Sequence, residues 1–514
     1  MRATLGEEFE AALRRHRVRT AVEAGGRSWT YGDLDRWSAA VADQLRGAGV
    51  RPGDAVALYL GNCVEFVVAD LAVARTGAVK VPVNTLLPEA TVAHILKAAR
   101  VRALVLGTGV VAVGERAGAG LPILRVDDGG GPPAGETLAG PRDVAVPPPA
   151  IGPTDRAAIY FTGGTTGLPK GVVHTQASAV AVQYAQIVEA ELAQDERLLL
   201  TTPLAHAAGL FAQSALVRGA TIVIEPGFDA ARALDLLRTG GITWTFLVPT
   251  MIYRLLDLID AATRGREDLP LRTVVYGAAP IAPSRLARAL EVFGPVFVQL
   301  FGQTECPNWG TRLTKHDHDP ARPELLGSCG QASIMADVRV VDDDGAPLPS
   351  GGTGEVCLRA PYTLEAYLDD PGATAAKFLP GGWIRTGDVG FLDDGGYLHL
   401  RDRKADMVIS GGMNVYCREV EDVLVRHPAV ARAAVIGVPH EDWGEAVHAV
   451  VVPAVPADEL DRAALLEWTR GELAAYARPK SVELVAALPE TPFGKIDKKV
   501  LRAPHWAARD RAIG

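Results

Sequence analysis

Tyr160-Phe161-Thr162-Gly163-Gly164-Thr165-Thr166-Gly167-Leu168-Pro169-Lys170-Gly171 sets hydroxyls, glycines and one lysine directly after an apolar run, Ala157-Ala158-Ile159-Tyr160-Phe161. The run reads as a buried strand, and Gly171-Val172-Val173 resumes its apolar character. Glycines let successive backbone N–H groups turn toward an anion, threonine hydroxyls add donors, and lysine supplies a point charge. The segment therefore reads as a phosphate grip built by Thr162, Gly163, Gly164, Thr165, Thr166, Gly167 and Lys170. It is not the G-x-x-x-x-G-K-[ST] loop of nucleoside triphosphatases: Pro169 parts the last glycine from Lys170, and Gly171 stands where a magnesium-binding hydroxyl belongs.

The 514 residues exceed what one core organises, so at least two domains are expected. With 48% apolar and 22% charged residues a large core can be buried, and a net charge of −9 leaves no basic stripe for nucleic acid. Five scattered cysteines without C-x-x-C pairing fit neither a disulfide framework nor zinc and point to a reducing cytoplasm. No apolar run approaches 18 residues, and the first 19 residues lack a signal-peptide core, so neither a membrane span nor export is expected.

Short apolar strands at 55–60, 78–81 and 103–106 alternate with helical stretches such as 65–75, the pattern of a parallel sheet under helices. Glycine and proline crowd 127–153, an exposed connection leading into the phosphate loop. A second strand series follows at 198–200, 221–224, 245–248, 273–276 and 296–300, ending in polar loops where open α/β sheets gather ligands. Turn residues at 345–354, then strands at 355–359 and 397–400, predict a small β-rich subdomain. Beyond 401 the pattern suggests a compact α+β unit. The fold class is α/β, with a large N-terminal domain over 1–401, a hinge at 402–405 and a small α+β domain over 406–514.

The phosphate loop resembles that of the adenylate-forming superfamily, which holds acyl-CoA synthetases, luciferases and peptide-synthetase adenylation domains. The other signatures of that superfamily follow in order, so the resemblance covers nearly the whole chain. It implies that in Phe301-Gly302-Gln303-Thr304-Glu305, Phe301 and Gly302 face adenine, Thr304 touches the α-phosphate and Glu305 helps hold Mg²⁺. Taken alone, that pentapeptide reads equally well as a helix N-cap with an acidic first turn. Gly277, Ala278 and Ala279 match the adenine-side loop, although a plain structural turn explains them as well. Asp388 matches the ribose carboxylate and Arg403 its boundary arginine. Ser410, Gly411 and Gly412 match the loop that admits the pantetheine arm of coenzyme A, although a plain left-handed turn would use the same residues. Lys495, in Pro492-Phe493-Gly494-Lys495, matches the lysine that enters the site during adenylation. A cation there offsets the charge that gathers when a carboxylate attacks the α-phosphate.

His206 matches the histidine lining the acyl pocket near the carboxylate, with Gly209, Leu210, Val248 and Trp309 as apolar neighbours. His316-Asp317-His318 reads as a solvated loop. The resemblance thus implies an ATP-, Mg²⁺- and coenzyme A-dependent ligase acting on an apolar small-molecule carboxylic acid, with a homodimer as one admissible assembly. Two departures touch ATP handling or domain rotation: Gly163 stands where the superfamily carries serine, a hydrogen bond worth about 1.5 to 3 kcal/mol to a charged group, and Ala405 stands at the hinge position beyond Asp402, where the superfamily carries aspartate or lysine. They leave open an enzyme that only takes a preformed acyl-adenylate to the thioester. The residues also admit acyl loading of a carrier protein and a non-catalytic nucleotide-dependent acyl sensor.

Overall fold

The computed structural model describes residues 2–126, 136–162, 168–262, 267–404, 406–490 and 496–506. Gly163, Gly164, Thr165, Thr166, Gly167, Ala405 and Lys495 therefore lie outside the described residues. The chain forms two compact units, Met1–Val338 with Leu358–Ile384, and Arg339–Cys357 with Arg385–Gly514. The expected hinge at 402–405 falls within the second of these.

The first unit carries two large sheets. In one, the strands Thr20–Ala24, Thr221–Ile224, Arg197–Leu200, Trp244–Leu247, Thr273–Gly277 and Phe297–Gln303 lie side by side and all parallel. Antiparallel hairpins extend both ends, Arg27–Thr30 at one and Cys306–Leu313 at the other. The central strands are apolar on both faces, as strands covered by helices on both sides must be. Parallel alignment brings the carboxyl ends of Arg197–Leu200, Trp244–Leu247, Thr273–Gly277 and Phe297–Gln303 to one edge, so the loops after them share that edge.

In the other sheet, Val79–Pro82, Ala55–Tyr59, Ala103–Leu106 and Ile123–Arg125 run parallel. Val79–Pro82 also pairs in parallel with Arg156–Thr162, which turns back antiparallel as Lys170–Thr175. Thr162 and Lys170, on either side of the phosphate loop, are paired across these two strands. The helix Val64–Thr76 ends at Gly77, whose φ of +70° provides the left-handed cap that glycine adopts without strain.

In the second unit, Asp388–Leu392 pairs with Leu398–Arg403 as a hairpin, and Val430–His440 pairs along its length with Gly444–Pro453. Ser481–Leu484 adds a parallel strand, and Val408–Ser410 with Met413–Val415 adds a short hairpin. The helices Cys417–Val425 and Arg462–Glu472 contribute Val420, Leu424 and Leu465 to one core with Val435, Val447 and Val451. Among the described residues no helix is long and apolar enough to cross a membrane, and all five cysteines are free thiols.

Candidate active site

Thr304 and Glu305 form the two-residue tip of the hairpin between Phe297–Gln303 and Cys306–Leu313, with Gln303 opposite Cys306. They do not cap a helix. Phe301 and Gly302 lie within the strand. A Cβ at Gly302 would stand 2.7 Å from the Asn308 backbone, so only glycine allows the hairpin to close this tightly. Asn308 sits in the left-handed region, φ +62°, held there by a 2.7 Å bond from its amide to Gln186 Oε1.

Both tip residues are fastened by the strands that carry the phosphate loop. His174, on Lys170–Thr175, places Nε2 2.9 Å from the Thr304 carbonyl oxygen. Burial lowers its imidazole to about 4, so the ring is neutral, and an Nε2 facing a carbonyl must be the protonated nitrogen. Tyr367 lies on Ala366–Tyr367, which pairs with Val172 and Val173. Its hydroxyl donates to Glu305 Oε1 at 2.5 Å, while Lys377 Nζ stands 3.6 Å from the same oxygen. Glu305 is 8% exposed, an ionisable carboxylate held at the carboxyl edge of the sheet by a phenol and an ammonium. Lys170 reaches Asp370 Oδ2 at 3.1 Å and lies over the Tyr367 ring.

The neighbouring loops supply the next groups. Gly277 ends its strand where a Cβ would meet the Leu300 carbonyl oxygen at 2.5 Å, and Ala278 follows with a φ of +65°. A left-handed alanine costs on the order of 1 kcal/mol, and such strain gathers at ligand-binding turns. His206 immediately precedes the helix Ala207–Arg218, and its Nε2 lies 2.9 Å from Asn84 Nδ2. Because the Asn84 amide oxygen accepts from the Leu86 N–H, its NH₂ group is the donor to His206. Burial lowers the His206 imidazole to about 4, so the ring is neutral with Nε2 as acceptor and the proton on Nδ1.

Gly209 and Leu210 are buried one turn into that helix, and a Cβ at Gly209 would stand 2.0 Å from the Leu204 carbonyl oxygen. Val248 directly follows the strand Trp244–Leu247 and is partly exposed. Trp309 lies in the strand Cys306–Leu313 and not on a loop. It is wholly buried, edge-on to Phe211, and its indole N–H has no hydrogen-bond partner among the described residues.

In the second unit Asp388 and Arg403 are directly opposite across a hairpin, with Arg403 Nε 3.5 Å from Asp388 Oδ1. Gly387, φ +79°, turns the backbone before Asp388, and its N–H donates to Glu355, which also binds Arg385 at 2.7 Å. Asp402 accepts from the N–H of Cys417 at the start of Cys417–Val425, and its carboxyl is raised by burial. Gly411 and Gly412, φ +59° and +79°, make the two-residue turn between Val408–Ser410 and Met413–Val415. Two successive left-handed residues are what such a hairpin demands. The left-handed turn that these glycines allow is therefore present.

The expectation for His316-Asp317-His318 is corrected. Asp317 and His318 are buried, and His318 bonds the Thr314 carbonyl at 2.7 Å and the Tyr276 hydroxyl at 3.0 Å. His174, Tyr367, Lys377, Asn84 and Glu355 carry no signal in the sequence. Each stands far along the chain from the residue it supports and belongs to no motif; only the strand pairing beside the phosphate loop brings His174 and Tyr367 to the tip.

A family model described as AMP-binding enzyme matches residues 9–368, and one described as AMP-binding enzyme C-terminal domain matches residues 419–495. The medium/long-chain-fatty-acid–CoA ligase FadD8 of Mycobacterium tuberculosis is 41% identical over 371 residues, which span 70% of this chain and 63% of that protein. Feruloyl-CoA synthase of Amycolatopsis sp. is 39% identical over 488 residues, 94% of this chain and 95% of that protein. Among solved structures, amide bond synthetase McbA from Marinactinospora thermotolerans superposes with a TM-score of 0.87 at 35% identity, covering 97% of this chain and 99% of that one. With models of both family domains matched in order along it, the chain belongs to the AMP-binding enzyme family, in the acyl-CoA synthetase branch of the adenylate-forming superfamily.

Proposed function

We propose that the protein joins an apolar carboxylic acid to the thiol of coenzyme A in two steps through an acyl-adenylate, releasing pyrophosphate and then AMP. The observation that carries this reading is the fastening of Thr304 and Glu305 by His174 and Tyr367, which brings an expected α-phosphate contact and an acidic ligand beside the strands flanking the phosphate loop. Residues 1–401 act as the nucleotide- and acyl-binding domain, 402–405 as the hinge, and 406–514 as the moving domain that brings Lys495 for the first step and Ser410, Gly411 and Gly412 for the second.

In the first step the substrate carboxylate attacks the α-phosphorus and the bond to pyrophosphate breaks. Thr162, Thr165, Thr166 and Lys170 bind the phosphates, Phe301, Gly302, Gly277, Ala278 and Ala279 receive adenine, and Asp388 with Arg403 binds the ribose. Glu305 fits Mg²⁺: it is an oxygen donor on a rigid tip, its carboxyl group held in place by Tyr367 and Lys377, and Mg²⁺ takes one or two carboxylates together with substrate phosphates. Bound there, the ion neutralises charge on the phosphates. Neutral His206 adds no charge beside the incoming carboxylate and lines the acyl pocket with Gly209, Leu210, Val248 and Trp309. In the second step the thiolate attacks the acyl carbonyl and AMP leaves.

The test is pyrophosphate exchange into ATP across fatty, aryl and polycyclic acids, followed by thioester detection with coenzyme A. Exchange without thioester would redirect the acceptor search to a carrier protein or an amine, the latter prompted by the amide bond synthetase among the structural neighbours. Thioester from synthetic acyl-AMP without exchange would replace the two-step reading by the one-step enzyme. Nucleotide binding without AMP release under any condition would leave the sensor.

A further inference from the structure

We infer that His448, Glu483 and His505 form a binding site for a divalent transition-metal ion on the second unit, apart from the proposed nucleotide chemistry. His448 lies on Gly444–Pro453, directly opposite Ser481 of the parallel strand Ser481–Leu484. Strand residues two apart share a face, so Ser481 and Glu483 project to the same side of the sheet. The helix Lys498–Trp506 covers the sheet beside them: Leu501 packs with Ala434, Val450 and Leu488, and the Trp506 indole donates to the Gly437 carbonyl at 3.0 Å. That anchor sets His505, in the last turn of the helix, with its ring 5.0 Å from that of His448.

One ligand atom from each of the three residues lies within 4.8 Å of the others, the one such grouping of three or more metal-capable side chains among the described residues. Ligand atoms around a tetrahedral ion at about 2.0 Å stand about 3.3 Å apart. Modest rotation of the exposed Glu483 and His505 side chains closes that gap, since only His448 is fixed by burial. A second observation points the same way. His448 is 7% exposed, and among the described residues its Nε2 makes no hydrogen bond of ordinary geometry, facing only the Glu483 carboxylate at ion-pair distance, 3.5 Å. A buried ring nitrogen without a full hydrogen bond costs about 1 to 3 kcal/mol, and a metal ion held between it and the carboxylate would satisfy both.

The other ring nitrogen is prepared for the role: Nδ1 lies 2.7 Å from the Ser481 hydroxyl, a partner of the kind that orients metal-bound histidines. Two imidazoles and a carboxylate suit Zn²⁺ and its neighbours, not Mg²⁺. Occupancy would tie the sheet to the helix that starts at Lys498, three residues after Lys495.

Calorimetry on the chelator-treated full chain tests this, with Zn²⁺ and Mg²⁺ as separate titrants. The expected result is a Zn²⁺ site without a Mg²⁺ counterpart, weakened about 10- to 100-fold or more in His505→Ala and Glu483→Gln and about tenfold in Ser481→Ala. His505 and Glu483 are exposed, so both variants are expected to melt with the wild type in chelator, while Zn²⁺ raises the wild-type Tm alone. Absence of Zn²⁺ binding, or wild-type affinity and stoichiometry retained in His505→Ala, would overturn the proposal.

Discussion

Replacing Tyr367 by phenylalanine isolates the bond on which the proposed site turns. The ring stays, and with it the strand pairing to Val172 and Val173 and the contact under Lys170. Only the hydroxyl that donates to Glu305 at 2.5 Å is lost. Glu305 is 8% exposed, so water replaces that donor poorly. A hydrogen bond to a buried charge is worth about 1.5 to 3 kcal/mol, and at about 1.36 kcal/mol per decade that is roughly a 10- to 150-fold loss of rate. In the proposed first step Glu305 faces the ion and the triphosphate, so the loss is expected in that step. ATP–pyrophosphate exchange should therefore fall by that factor and need more Mg²⁺, while thioester formation from synthetic acyl-adenylate should stay within about threefold of wild type. Exchange within twofold of wild type would show that the hydroxyl does not orient Glu305. An equal fall in both half-reactions would show that Tyr367 acts on the fold at large.

Lys495→Ala should lower exchange roughly 10²- to 10³-fold, as loss of a charge aimed at the transition state does, and spare the thioester step; equal losses in both assays would remove Lys495 from its assigned role. Gly277→Ala presses a Cβ to 2.5 Å from the Leu300 carbonyl and should destabilise by about 1 to 3 kcal/mol in urea denaturation; an unchanged midpoint would mean that the parallel strands separate freely. His174, His206 and His318 are each held by burial near 4, below their unfolded value of 6.5. The folded state thus favours the neutral rings, so their contribution is fully present above pH 6.5 and is lost as pH falls toward 4, by roughly 2 kcal/mol per histidine at pH 5. Urea midpoints that stay flat from pH 7 to 5 would contradict this, and His318→Gln should reduce the slope.

Local chemistry made much of this protein legible in its sequence. Apolar runs of three to six residues set between helical stretches announce buried parallel strands, and the strands ending at Leu106, Leu200, Ile224 and Leu247 lie within one residue of where the sequence places them. A Cβ would clash at Gly277 and Gly302, and the left-handed backbone at Gly411 and Gly412 is strained for residues other than glycine. What the tertiary structure alone decided are the supports: His174 under Thr304, Tyr367 on Glu305, Asn84 against His206, and burial of Asp317 and His318 where composition suggested a wet loop. A motif states which groups face a ligand, because their types and spacing follow from bonds along the chain. The partners that fix those groups in place are chosen by strand pairing between segments tens to hundreds of residues apart, and no local pattern encodes them.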